Sequence, residues 1–257
     1  MPVTVAETLT AQGKDVFIIA LKDIATADLS SFNHMILHIG QLGKIISAFL
    51  DANCHQIILV GKLTRPSFFA IKPDLRGAKI FTKVMSSSDD KALKILQNEF
   101  AKDGITFLDI GKVMPKIYAD EGVLTGQTPN VEVQASINLG IDILKATGKF
   151  DMGQGCVVQA ERILALEGAE GTDGMLQRLS HLIVEGGADP VFVKMLKTSQ
   201  DPSLDPPGFG VDTVRNAAAA GVKVIALQAN AVVMIDKKAA LAEAEKSGLT
   251  TIGFTLD

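Results

Sequence analysis

Short apolar runs alternate with amphipathic stretches along this 257-residue chain. Runs rich in β-branched residues predict buried strands over 15–21, 35–39, 56–60, 105–108, 156–160, 163–166, 191–196, 222–227, 232–235 and 250–254. Helical spacing of apolar residues predicts helices over 3–12, 44–50, 89–102, 129–147, 174–184, 211–220 and 237–246. Strands that alternate with helices are typical of a parallel sheet covered on both faces. The pattern therefore predicts an α/β fold.

The pattern weakens over 110–130, which ends in the turn-rich letters GVLTGQTPN. Domain boundaries tend to fall in such glycine- and proline-containing segments. We therefore predict two domains, covering residues 1–122 and 123–257.

Composition narrows the class of protein. The net charge of −4 argues against a nucleic-acid partner, which requires a basic surface. Cys54 and Cys156 are far apart and form no Cys-x-x-Cys motif, which indicates reduced thiols in a cytoplasmic protein. The first ten residues lack the basic start of a signal peptide. The most apolar stretch, 217–235, is interrupted by polar residues and is too broken to span a bilayer.

The most unusual segment, 194–212, reads KMLKTSQDPSLDPPGFGVD. Its three prolines exclude regular structure over 202–207, so its aspartates are predicted on a stiff exposed loop. Loops held between packed elements are frequent sites of chemistry. A plain acidic surface turn explains the segment about equally well.

Two loops in the first half follow predicted strands. Residues 40–44 carry two glycines and a lysine, and an ordinary strand–helix turn explains them best. Residues 61–66, GKLTRP, offer Lys62, Thr64 and Arg65 as donors to a phosphate or a sugar. A solvated basic loop is the equally simple alternative.

An acidic cluster, EGAEGTD, occupies 167–173 in the second half. A helix N-cap role explains Thr172 or Asp173. Capping does not explain Glu167 and Glu170, which together with Asp201 and Asp205 are suitable oxygen ligands for Mg²⁺.

Lys194 and Lys197 are three residues apart in a predicted strand and its exit, so one of them is expected to point inward. A buried lysine requires a partner, and a phosphate would serve. His34 and His38 lie on a strand, where four-residue spacing separates them by about 13 Å, and we interpret them as structural.

Five motifs occur in an order that spans essentially the whole chain: GKLTRP (61–66), PDLRG (73–77), DMGQGCVV (151–158), EGAEGTD (167–173) and K-x-x-Q-D…LDPPGFG (197–210). In these motifs the chain resembles the LpxI-type UDP-2,3-diacylglucosamine pyrophosphatases. The resemblance implies a Rossmann-like N-terminal domain, a second α/β domain and an active site between them. It also implies Mg²⁺-dependent hydrolysis of UDP-2,3-diacylglucosamine to UMP and 2,3-diacylglucosamine 1-phosphate (lipid X) in lipid A synthesis. Peripheral contact with the inner membrane and a homodimer are compatible with it.

The resemblance also implies roles for individual residues. Asp205 and Asp173 are the expected catalytic residues, and Glu167, Glu170 and Asp205 the expected metal ligands. The expected substrate-binding residues are Lys62, Thr64, Arg65, Gln154, Gly155, Thr172, Lys197, Gln200 and Gly210.

The chain departs from the family pattern at three places. Pro206–Gly210 replaces a Leu-Pro-Thr-x-Gly sequence, and Ser203 stands where an arginine is common. Family members also carry an apolar strand and a glycine run before the dipeptide that matches Met1-Pro2. A start codon assigned too far downstream explains that difference, and the genomic sequence upstream tests it.

These departures keep a second class of function open. The alternative is a non-catalytic protein that is derived from the enzyme and binds a nucleotide sugar or a lipid. A Rossmann-type oxidoreductase is disfavoured because no Gly-x-Gly-x-x-Gly fingerprint occurs in the chain.

Overall fold

The computed structural model describes residues 1–61, 71–179, 181–198 and 200–256. The chain divides into two compact units, Met1–Met114 and Pro115–Asp257. Each unit combines helices with β-sheet, so the predicted α/β class is confirmed.

The first unit pairs short parallel strands and covers them with helices. Its helices are α1 (Pro2–Ala11), α2 (Leu42–Asp51), α3 (Leu75–Met85), α4 (Asp89–Ala101) and α5 (Ile110–Val113). Its strands are β1 (Phe17–Leu21), β2 (Asn33–Leu37), β3 (Gln56–Ile57) and β4 (Thr106–Phe107). Among the described residues, β1 pairs with β2 and β3 pairs with β4, both in parallel.

Aliphatic and aromatic side chains from both strand pairs share one core in this unit. Ile45 and Ile46 on α2 face the core, as the helical spacing predicts. Phe100 on α4 packs edge-on against Phe107, with ring centroids 5.2 Å apart. This packing holds α2 and α4 against the strands.

The second unit contains a larger sheet. Its helices are α6 (Val131–Gly148), α7 (Gly171–Gln177), α8 (Val211–Ala219) and α9 (Lys237–Lys246), preceded by a 3₁₀ turn over Pro115–Ile117. Its strands are β5 (Gly122–Thr125), β6 (Gly155–Gln159), β7 (Arg162–Leu166), β8 (Val191–Lys194), β9 (Gly208–Phe209), β10 (Val224–Gln228), β11 (Val233–Met234) and β12 (Thr250–Phe254).

Within the described residues, six of these strands form one mixed sheet in the order β5-β12-β10-β8-β6-β7. The central strands β8, β10 and β12 are parallel, whereas β6 runs antiparallel to β8 and pairs with β7 in a tight hairpin. Consequently, the end of β8, the start of β6 and the end of β7 meet at one edge of the sheet. We call this the carboxyl edge.

Both faces of the large sheet are buried. Phe192 on β8 packs on the face that also carries α7, α8 and α9, whereas its neighbours Val191 and Val193 pack with Ile137 of α6 on the other face. All four residues of β8 are therefore buried, as expected for a central strand. Burial of each large apolar side chain contributes about 1.5–3 kcal/mol to the stability of the fold. This packing fixes the position of the end of β8.

In the part of the chain that the structure describes, none of the helices has the length and apolar character needed to cross a membrane.

Candidate active site

Polar residues from three strand ends converge at the carboxyl edge. Lys194, the last residue of β8, is the register partner of Gly155, the first residue of β6. Glu167 directly follows β7, and its backbone N–H donates to the Gly155 carbonyl at 2.9 Å. The antiparallel β6–β7 hairpin thus brings the Gly-Gln-Gly motif and the acidic motif beside the end of β8.

Glu167, Thr172 and Lys194 form a connected set of polar side chains. The Lys194 ammonium donates to Thr172 Oγ1 at 2.7 Å, and the Thr172 hydroxyl donates to Glu167 Oε2 at 3.1 Å. Lys194 Nζ itself lies 3.9 Å from Glu167 Oε2. Thr172, an expected substrate-binding residue, is therefore hydrogen-bonded directly to Glu167, an expected metal ligand.

Two glycines make room for Glu167. A Cβ on Gly155 would lie 2.9 Å from Glu167 Oε2, and a Cβ on Gly153 would lie 2.4 Å from Glu167 Cβ. The Gly153 N–H also donates to the Glu167 carbonyl at 3.0 Å. Space, rather than an unusual backbone angle, therefore explains glycine at both positions.

Lys197 is also buried, and it has a carboxylate partner. Its ammonium donates to Asp151 Oδ1 at 2.5 Å. Asp151 has a φ of +56°, in the left-handed region that costs an ordinary residue free energy. The lysine predicted to hold a phosphate is thus already paired with a protein carboxylate. Asp151 was not among the predicted site residues.

Gln200 connects two predicted site residues. Its Oε1 accepts from Gln154 Nε2 at 2.8 Å, and its Nε2 donates to Asp205 Oδ2 at 3.0 Å. Gln154 is anchored in turn, because its carbonyl accepts from the Met195 N–H at 2.9 Å. Asp205 is exposed, as predicted for the proline-rich loop.

The remaining carboxylates of the acidic motif have separate partners. Asp173 Oδ1 accepts from Asn216 Nδ2 of α8 at 2.9 Å, and Glu170 Oε1 accepts from Arg178 at 2.9 Å. The pKa of Glu170 is lowered, first because its own backbone N–H donates to the carboxylate and further because of Arg178.

The expected metal ligands Glu167, Glu170 and Asp205 each contact a different neighbour. Among the described residues, no group of three or more histidine, cysteine, aspartate or glutamate side chains is arranged to hold a metal ion. This part of the chain therefore contains no preformed cage of protein ligands.

The remaining predicted site residues are Gly210, Lys62, Thr64 and Arg65. Gly210 caps the N-terminus of α8 in an extended conformation, and a Cβ there would lie 3.4 Å from Ile235 Cβ. Lys62, Thr64 and Arg65 lie outside the described residues.

Sequence reasoning did not select Asp151, Arg178 or Asn216 as site residues. The partners of Asp151 and Asn216 are 46 and 43 residues away, so no local pattern marks them. Lys194 was considered with Lys197 as a buried lysine that a phosphate could partner, but only Lys197 was named among the expected substrate-binding residues.

Comparison with known proteins places this arrangement in a family. Residues 1–117 match the LpxI N-terminal domain and residues 120–252 match the LpxI C-terminal domain. The chain is 32% identical to the UDP-2,3-diacylglucosamine pyrophosphatase LpxI of Caulobacter vibrioides, over 98% of this chain and 93% of that protein. The motifs at the carboxyl edge and the match along both domains agree, and the chain belongs to the LpxI family.

Proposed function

We propose that this protein hydrolyses the pyrophosphate bond of UDP-2,3-diacylglucosamine and releases UMP and 2,3-diacylglucosamine 1-phosphate (lipid X). The activity for which the Caulobacter relative is named supports the substrate and the bond. The proposed place of this step is lipid A synthesis. The proposed location is the cytoplasm, with the lipid substrate presented at the inner membrane. A homodimer is compatible with the proposal.

One observation supports this function most strongly: two buried lysines and several carboxylates meet at the carboxyl edge of the large sheet. Lys194 and Lys197 are only 3% and 9% exposed. In sheets with parallel strands, ligands collect beyond the carboxyl ends of those strands. Cations in such a site attract a diphosphate, and carboxylates beside them hold water or a metal ion.

Asp205 is the residue we propose to act on the attacking water. Its Oδ2 accepts a hydrogen bond from Gln200, and the residue is exposed to solvent. It would accept a proton as the water oxygen bonds to phosphorus and the bond to the bridging oxygen breaks. Asp173, oriented by Asn216, is the second proposed catalytic carboxylate.

Mg²⁺ is the proposed cofactor. The ion takes few protein carboxylates and completes its shell with water and substrate phosphates, so a site without a preformed cage suits it. Asp205 and Glu167 are the carboxylates we propose for it, whereas Glu170 is engaged by Arg178. When bound, the ion would stabilise negative charge that develops on the phosphate oxygens.

Product analysis tests this function. The protein is incubated with UDP-2,3-diacylglucosamine in detergent micelles, with Mg²⁺ or with EDTA, and products are identified by mass spectrometry. We expect equal amounts of UMP and lipid X with Mg²⁺ and neither product with EDTA. Binding of the substrate without release of UMP would contradict the proposal and favour a non-catalytic binding protein.

A further inference from the structure

We propose that Lys194 is a positioning residue that orients the carboxylate of Glu167 through the hydroxyl of Thr172. This inference rests on the proposed function and assigns Lys194 a part in it. The evidence is the burial of Lys194 and Glu167, the direction of the hydrogen bonds through Thr172 and the close approach of Gly153 and Gly155 to Glu167.

The two charges are almost removed from solvent. The side chains of Lys194 and Glu167 are 4% and 10% exposed, and their charged atoms lie 3.9 Å apart. Buried charges are tolerated when they are paired and hydrogen-bonded. Lys194 and Glu167 therefore depend on each other, and Thr172 lies between them as the shared partner.

The chemistry of the donors fixes the direction of each bond. A lysine ammonium can only donate hydrogen bonds, so the Thr172 oxygen must accept from Lys194. The hydroxyl hydrogen of Thr172 then remains for an acceptor, and Glu167 Oε2 lies 3.1 Å away. The positive charge of Lys194 thus turns the hydroxyl hydrogen toward the carboxylate.

The two oxygens of Glu167 consequently differ. Oε2 accepts a hydrogen bond from the Thr172 hydroxyl and faces Lys194, whereas Oε1 makes no hydrogen bond with any described residue. Gly153 and Gly155 confine the same side chain from the β6 side. The arrangement restricts Glu167 to one orientation and reserves Oε1 for a ligand or a water.

Thr172→Val tests this positioning because valine keeps the shape and removes the hydroxyl, and Thr172→Ser is the rescue variant. We expect Thr172→Val to lower kcat about 10- to 100-fold, since small misplacements of a reacting group cost that much. KM, UMP affinity by calorimetry and the melting temperature should change little, and Thr172→Ser should recover most of the kcat. Wild-type kcat in Thr172→Val, or equal losses in both variants, would overturn the proposal.

Lys194 is tested with its charge partner because Lys194→Met alone leaves Glu167 buried without a cation. The double variant Lys194→Met with Glu167→Gln removes both charges and should fold, as judged by circular dichroism, with kcat reduced at least as strongly as in Thr172→Val. The control is Lys223→Met, which replaces an exposed lysine just before the neighbouring strand β10. A folded double variant with wild-type kcat contradicts the role of Lys194. Absence of UMP release by the wild type contradicts the proposed function itself.

Discussion

Cys156 shows how completely the core of the large sheet excludes water. It is fully buried in β6, and its thiol donates to the Gly140 carbonyl of α6 at 3.6 Å. Burial raises the pKa of this thiol to about 12. The pKa of Cys54, in the first unit, is also raised by burial, but its side chain is only half-buried.

Thiol labelling should distinguish the two cysteines. At pH 8 we expect iodoacetamide to label Cys54 slowly and Cys156 not at all. The Cys156 thiol is buried, and its raised pKa disfavours formation of the reactive thiolate at this pH. Both thiols should react in guanidinium chloride. Peptide mass spectrometry measures the two sites, and a Cys54→Ser variant should remain unlabelled when folded. Equal labelling of both native cysteines would show that α6 does not seal this face.

Individual partners at the site were the least predictable feature of the sequence. The sequence indicated that a lysine near 194–197 is buried, and both Lys194 and Lys197 are. It did not indicate that Lys197 pairs with Asp151, because this contact depends on how distant segments fold together. The roles of Asp205 and Asp173 remain predictions that variants must test.

At the scale of elements, a charged cluster joins α3 to the C-terminal end of α4. Arg76 donates to Glu99 at 2.8 Å and to Asp103 at 2.5 Å, and Lys102 also donates to Glu99. These cations, Lys102 first and Arg76 next, lower the pKa of Glu99 despite the opposing effect of burial. A lowered pKa in the folded state means that the ionised form of Glu99 stabilises the fold.

Stability of the first unit should therefore depend on Glu99 and on pH. The contribution of ionised Glu99 to the free energy of unfolding is fully present above the ordinary glutamate pKa of 4.5. It is lost as the pH falls through the lower pKa that Glu99 has in the folded state. We expect Glu99→Gln to lower the free energy of unfolding by about 1–3 kcal/mol at pH 7, and by less at pH 3.

Urea unfolding at both pH values measures the difference. Glu7→Gln, at an exposed position of α1, is the control and should behave like the wild type at each pH. An equal effect of Glu99→Gln at pH 7 and pH 3 would contradict an ionic role.

The β6–β7 hairpin depends on glycine at its entry. Gly155→Ala places a methyl group 2.8 Å from the Phe192 ring and 2.9 Å from Glu167 Oε2. We expect the melting temperature to fall by several degrees, because overpacking a core costs about 1–3 kcal/mol. UMP release should fall as well because Glu167 is displaced.

Gly187→Ala is the matched control for this change. A Cβ at Gly187 would find its nearest neighbours at 3.5 Å, which is ordinary contact, so we expect melting temperature and UMP release to stay near those of the wild type. If the two alanine variants melt alike, the space around Glu167 is less restricted than its contacts indicate.

Hydrophobic patterning identified most elements, including the two-residue strands β3, β4 and β11, and missed others. The strand predicted at 250–254 and the helix predicted at 237–246 match β12 and α9. β5 and β9 were missed because they are short and pair with β12 and β11, far along the chain. α3 was missed because Gly77 interrupts its pattern. The helix predicted over 174–184 instead begins and ends earlier, as Gly171–Gln177.

At the scale of the whole molecule, each unit has its own core. The hydrophobic cluster described for the first unit draws its residues from between Ile19 and Phe107, and the two clusters of the second unit lie between Ala119 and Leu256. Separate cores are the physical basis for independent folding.

We therefore expect residues 115–257 to fold without the rest of the chain. The purified fragment should show helix and sheet by circular dichroism and a cooperative urea transition. The full-length protein, measured alongside, serves as the reference. A fragment that lacks a cooperative transition would show that the second unit requires the first for its stability.

The most direct test of the central claim is UMP release by Asp205→Ala. The control is Asp189→Ala, which removes an exposed aspartate just before β8, at the opposite end of that strand from Lys194. With Mg²⁺ and UDP-2,3-diacylglucosamine, we expect kcat to fall by about 10²-fold or more in Asp205→Ala, at an unchanged melting temperature, and to stay near wild type in Asp189→Ala. Wild-type turnover in a folded Asp205→Ala protein would contradict the claim that catalysis takes place at the carboxyl edge.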